Sequence, residues 1–254
     1  MSGTAGGGSA SAADRETVLD GERVAYAVRE SGRASRPRID VRPTGVTVVV
    51  PEADRGRIDP DAVLAGHADW VLEKRAAMAA RRERAPERAY GPGATWPVLG
   101  VEREVVVERR RSSAVDRDAD LIRLARSHVD RTSHKRALEY CFRETARAEF
   151  ERRVEALAPE MGVADRVGDV EVRNQRTRWG SCSSSGTLSL NWRLLLAPPA
   201  VLRYVVVHEL AHLRKRDHSD AFWGIVAAHD PDWERHRGWL REHADELIFD
   251  ETDL

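Results

Sequence analysis

Apolar and polar residues alternate with a period of two through much of the first fifty positions, then pass to helical spacing. Val24-Ala25-Tyr26-Ala27-Val28, Ile39 to Val41 and Val46 to Val50 read as short strands, punctuated by Gly32, Pro37, Pro43 and Gly45. Asp59-Pro60-Asp61 opens a helix expected to run to about Arg84, with Val63, Leu64, Trp70, Val71 and Met78 on its buried side. Val98 to Glu108 and Leu121 to Ala125 predict further strands, and the charged run 109–120 between them reads as a mobile loop. A second long helix is expected from Ser133 to Leu157, turning Leu138, Phe142, Val154 and Leu157 inward. Val170 to Arg173 and Thr187 to Trp192 alternate as strands and read as a hairpin around a Ser/Gly-rich turn. No internal repeat is visible in the residues.

The most apolar helix comes next. Pro198 and Pro199 suit a first turn, and 200–213 is then hydrophobic on nearly all sides except at His208, Glu209 and His212. Polar groups on a buried helix are costly without partners, so these three need a reason to be there. Histidines four apart share one face and bring two imidazole nitrogens within reach of one metal ion. His218 lies six residues past His212, about 240° round a continued helix, so it shares that ion only if the helix ends between Leu213 and Asp217. The charged Arg214-Lys215-Arg216-Asp217 run fits such an exit. Ser219-Asp220 starts a new helix carrying Phe222, Trp223, Ile225 and Val226 to about Ala228; after Asp230-Pro231 a last helix runs from Asp232 to about Ile248. His218 is the expected third ligand, with Glu234, His229 and His236 as competing donors. One Zn2+ on three protein ligands keeps a position open for water, as catalytic sites do, and Glu209 has the sequence position of a general base. The histidine spacing equals that of metzincins, but Lys215 replaces their glycine and no methionine follows His218.

Composition narrows the class. A chain of 254 residues buries a sizeable core. Two cysteines, Cys141 and Cys182, argue against a disulfide framework and fit a reducing, cytoplasmic setting. No apolar run approaches the roughly 20 residues a membrane span needs, so no membrane partner is expected. The first 13 residues, mostly Gly, Ser, Ala and Thr, lack a signal-peptide layout and read as a disordered tail. With 41 basic and 42 acidic residues the formal charge is −1, and nucleic acid is not an expected partner. Only Lys74, Lys135 and Lys215 of the basic residues are lysine, which fits genomic compositional bias first, with thermal or saline adaptation as the alternatives. The arginine clusters 81–84 and 109–111 read as solvated faces.

Arg178-Trp179-Gly180-Ser181-Cys182-Ser183-Ser184, then Leu188 to Leu194, then Tyr204 to Leu213 and His218-Ser219 with Phe222-Trp223 make the sequence resemble one family closely. It resembles the YgjP-like zinc metallopeptidases, metal-dependent hydrolases of zincin type related to SprT-like proteases. The likeness is close from Arg173 to Trp223 and looser back to about residue 20. It implies zinc on His208, His212 and His218, with Glu209 catalytic. In zincins a strand above the metal helix offers its edge to an extended peptide, and 188–192 is the candidate. Arg178, Trp179 and Asn191 are candidate substrate contacts, Arg178 or Asn191 also for an oxyanion; for Trp179 and Trp192 ordinary core packing is the first reading. Cys182 has no CxxC partner to make it a ligand.

The expected fold is α+β. After a disordered tail (1–16), a small β-rich N-terminal domain with one long helix spans 17–130. A mainly helical zincin-like metallopeptidase domain, with a short hairpin or sheet above the metal helix, spans 131–254. The expected function is zinc-dependent hydrolysis of peptide bonds in a peptide or protein substrate. Two alternatives stay open: zinc-dependent hydrolysis of a non-peptide bond such as a nucleotide phosphoanhydride, and a non-enzymatic zinc-stabilised interaction module. The first lacks a Walker-type phosphate loop, and the second gives Glu209 no role. Oligomeric state and cleavage specificity are not legible.

Overall fold

The computed structural model of the chain describes residues 15–42 and 44–253. Residues 1–14 of the expected tail, and Pro43, lie outside the described residues; Arg15 and Glu16 already belong to a strand. By compactness the chain divides into two units, one made of the chain to Ala85 with Asp250 onward, the other Pro86–Phe249. The division falls at 85/86, whereas the sequence pattern places it at 130/131.

In the first unit, β1 (Arg15–Leu19) and β2 (Glu22–Ser31) form a hairpin. Its turn, Asp20-Gly21, holds both residues at positive φ (47° and 85°), as a tight two-residue connection requires. β3 (Arg38–Arg42) and β4 (Gly45–Pro51) complete a sheet of order β1-β2-β4-β3, in which β2 and β4 run parallel and the outer pairs antiparallel. The single helix expected after Asp59 is two, α1 (Pro60–Ala65) and α2 (Ala68–Arg84), broken at Gly66-His67. Asp59 caps α1 by accepting from the Asp61 amide at 3.0 Å. Leu64 and Val71 join Leu19, Val24, Tyr26, Val46 and Val48 in the core of this unit. Trp70, expected inside, is 42% exposed.

The second unit begins with another four-stranded sheet, β5 (Thr95–Val98), β6 (Val101–Glu108), β7 (Ala114–Asp116) and β8 (Leu121–Ala125), in the order β5-β6-β8-β7. Its apolar side explains why it belongs here. Trp96, Val98, Val105, Ile122 and Leu124 share one core with the long helix and the helix carrying His208, Trp96 meeting Phe142 with ring centroids 5.6 Å apart. The expected mobile loop 109–120 contains β7, and Arg117 beyond it donates to Glu149 at 3.1 Å. α3 (Arg126–Arg131) precedes α4 (His134–Glu160), the expected long helix, capped by Ser133.

The two four-stranded sheets repeat one plan. Each is a hairpin whose turn has two positive-φ residues (Asp20-Gly21; Leu99-Gly100 at 53° and 79°). In each, the second strand runs parallel to the fourth and the third closes the far edge antiparallel. Each is followed by a six-residue helix, a two-residue break and a long helix. The chain therefore contains an internal repeat, carried by pairing and turn geometry rather than by matching residues.

A third sheet lies within the second unit. β9 (Val170–Arg173), β10 (Gly180–Cys182) and β11 (Leu188–Asn191) take the order β10-β11-β9. The two strands expected to form a hairpin, β9 and β11, run parallel; the hairpin partner of β11 is β10. Strand β11 is thus central, with both edges paired; β10 and β9 are the edge strands, and β10 is the one whose Gly180 lies against Glu209. A short 3₁₀ turn (Trp192–Leu196) leads to α5 (Pro199–Ala211), followed by α6 (Asp220–His229) and α7 (Trp233–Glu242). The last helix stops six residues earlier than expected, and 244–247 forms a 3₁₀ turn.

Candidate active site

Helix α5 buries Val201, Leu202, Val206, Val207 and Leu210 around its circumference, which fixes its rotation. That rotation sends His208 and Glu209 toward one cavity. The helix ends at Ala211, with His212 as its C-cap, and the chain turns through 213–218 before Ser219 precedes α6. The turn swings His218 back over His208. Their Nε2 atoms stand 3.2 Å apart, and ligand atoms of His208, His212 and His218 all lie within 4.8 Å of one another. Two zinc–nitrogen bonds of about 2.05 Å at a tetrahedral angle span about 3.3 Å, so the three rings fit a single divalent ion.

Supporting contacts set the rings. His212 Nδ1 lies 3.1 Å from the Lys215 carbonyl, which can only accept; Nδ1 is therefore the protonated nitrogen, and Nε2 of the neutral ring keeps its lone pair. Lys215, the residue where metzincins have glycine, thus acts through its backbone. Among the described residues His208 Nδ1 is buried without a hydrogen-bond partner. Phe222 of α6, fully buried, lies against all three imidazoles, with centroids 4.9 Å from His208, 4.6 Å from His212 and 4.8 Å from His218. Sequence alone assigns Phe222 only to the core. Burial, with the neighbouring His212 and His218 rings, lowers the His208 pKa to about 3, and burial lowers that of His212. Both rings stay neutral, the form that binds a metal.

Glu209 is 5% exposed, and burial raises its carboxyl to about 8, against a lowering effect of Arg178. Gly180 of β10 lies against it. A Cβ at that position would stand 2.4 Å from Glu209 Oε1, so only glycine admits this approach.

Asn191 is fully buried, and its Nδ2 donates to the Gln175 carbonyl at 2.7 Å while its Oδ1 accepts from the Arg193 amide at 3.1 Å. It does not line the cavity; it holds the loop 175–178 that carries Arg178. Trp179 and Arg178 do line the cavity, and Trp179 lies over the buried Arg193 guanidinium at 5.4 Å. Trp192 is fully buried and belongs to the core. The competing donors are elsewhere: His236 Nδ1 pairs with Asp230 at 2.9 Å, and among the described residues neither His229 nor Glu234 joins the histidine group.

The free edge of β10 has a defined polarity. The Asn191 amide donates to the Trp179 carbonyl at 2.8 Å and the Ser183 amide to the Thr187 carbonyl at 2.9 Å. By antiparallel alternation, Trp179, Ser181 and Ser183 face β11, and the backbone groups of Gly180 and Cys182 face outward. Arg216 already donates to the Cys182 carbonyl at 3.2 Å. Sequence reasoning misses Gly180 and β10; a glycine in a strand pattern is the available signal.

The sequence model of the YgjP-like metallopeptidase domain matches residues 35–243. No curated protein matches the chain. Two solved structures resemble part of it. One is the metallopeptidase zymogen abylysin of Pyrococcus abyssi, 23% identical, covering 39% of this chain and 99% of that one, with a TM-score of 0.35. The other is the metallopeptidase zymogen jannalysin of Methanocaldococcus jannaschii, 16% identical, covering 37% and 96%, with a TM-score of 0.34. Since the family match spans most of the sequence and takes in all three histidines with Glu209, the chain belongs to the YgjP-like metallopeptidase family.

Proposed function

We propose that the chain hydrolyses peptide bonds with one zinc ion held by His208, His212 and His218, and with Glu209 as general base. The observation that carries this reading is the convergence of three imidazoles, two of them with Nε2 atoms 3.2 Å apart, beside a buried carboxyl on the same helix. When bound, zinc supplies Lewis-acid polarisation and makes a water nucleophilic near neutral pH. Glu209 takes the proton of the attacking water and delivers it to the leaving amine nitrogen. Burial raises the Glu209 carboxyl in the metal-free protein, and a cation bound beside it would favour the carboxylate that the first half of the transfer needs. The outward Gly180 groups and the Cys182 amide offer backbone partners to an extended substrate. Gly180, lacking a side chain, lets that edge lie against Glu209.

Glu209→Gln tests the assignment. The variant keeps its zinc and loses about 10²–10⁴-fold in turnover, the usual contribution of a general base. Full activity in zinc-replete protein refutes the role of Glu209. Chelator-sensitive cleavage of an unfolded protein, measured beside phosphate release from nucleotides, identifies the bond that is broken.

A further inference from the structure

The cavity that His208 and Glu209 line has a volume of about 340 Å³, at the small end of ligand pockets and ample for a substrate side chain. Tyr204, Val205, Leu240 and Trp179 give it apolar walls. Three arginines, Arg178, Arg237 and Arg241, also line it, and Glu209 is the one acidic residue in its lining among the described residues. Arg178 and Arg237 are exposed and form no salt bridge among the described residues; Arg241 reaches only the exposed Glu242, at 3.8 Å. Arg237 is held over the Trp223 ring at 5.1 Å, and Trp223 stacks on Trp233 at 4.2 Å. Cationic groups around an apolar slot favour an anionic guest with a short aliphatic stem.

We infer that this cavity receives an aspartate or glutamate side chain of the peptide substrate, next to the bond that is cut. The inference rests on the peptidase reading and adds the substrate class. Arg178 and Arg237 come from elements 59 residues apart in sequence, so their convergence is a property of the fold. Arginine also suits the task chemically, because its planar fork matches a carboxylate.

Internal peptides differing only in Glu, Gln or Lys at one position, amidated at the C-terminus, are offered to the zinc-loaded full chain. The Glu peptide is cleaved roughly tenfold more efficiently than the Lys peptide, the size of one partly screened charge pair. Arg237→Glu reverses that ranking. Binding of the same peptides to metal-free protein, followed by fluorescence anisotropy, gives a readout independent of turnover, with the Glu peptide binding tightest. Equal binding, or a ranking that survives Arg237→Glu, overturns the inference. A preference seen only with a free C-terminus also overturns it, assigning the cavity to the terminal carboxylate. If no peptide is cleaved, the peptidase reading fails, while the anisotropy ranking still judges the cavity.

Discussion

Replacing Gly180 by alanine probes how closely β10 and Glu209 are fitted. Gly180 is not among the positive-φ glycines, so its backbone accepts alanine and the effect is steric. The new Cβ would lie 2.4 Å from Oε1, 2.7 Å from Cγ and 2.8 Å from Cδ of Glu209, where ordinary contact begins near 3.4 Å. About 1 Å must be recovered. The backbone of Glu209 is fixed in α5 near the buried Val206, Val207 and Leu210, so the carboxyl end moves. A displacement of that size costs about 10²-fold in rate, or about 2.7 kcal/mol of transition-state stabilisation. Overpacking adds about 1–3 kcal/mol of lost stability. The histidines are untouched, so zinc content stays at that of the parent protein. Steady-state kinetics on a peptide, metal analysis and a thermal melt read the three quantities. A folded, zinc-replete Gly180→Ala protein with undiminished kcat refutes the argument, and so does a variant whose only defect is lost zinc.

Three further outcomes are expected. His218→Ala weakens zinc binding by more than the roughly 10–100-fold typical of losing an outer partner, measured by competition with a chelator. Glu149, 3% exposed, accepts from Arg117, Arg152 and Arg153; burial would raise its pKa, but those arginines hold it at about 2. Glu149→Ala strands the half-buried Arg153 and costs about 3 kcal/mol in a denaturant titration, the low end for breaking a buried pair because Arg117 and Arg152 reach water; a loss under about 1 kcal/mol contradicts it. In metal-free protein, between pH 4.5 and 8 the folded Glu209 keeps a proton that the unfolded chain has released, so stability falls as pH rises there. Between pH 6.5 and 3 the folded His208 lacks a proton that the unfolded chain holds, so stability falls as pH drops there. These two groups therefore place a stability maximum between about pH 4.5 and 6.5, and urea midpoints across about pH 3–9 check it.

His208, Glu209 and His212 are legible in the sequence because an otherwise apolar helix admits polar residues only for a purpose, and His218 because one turn geometry alone returns it to them. Strand partners are less legible. Alternation marks 170–173 and 187–192 as strands but does not say whether they pair parallel, and Gly180–Cys182 is too short to show a period. The repeat is hidden for a related reason: the second hairpin turn is Leu99-Gly100, without the Asp-Gly signal of the first. The unit boundary depends on Trp96 meeting Phe142, a contact 46 positions apart that no local pattern encodes. Asn191 reads from sequence as facing substrate because its amide can donate; its backbone partners at 175 and 193 become visible only in three dimensions.

A strand left open to welcome one chain is equally open to another molecule of the same kind, the usual route to edge-to-edge aggregation. Here β10 is only three residues long, and Arg216 closes one end by occupying the Cys182 carbonyl. On the proposed reading, so short an edge offers too few amide pairings to hold a stray partner, and selection falls to the side chains a substrate brings.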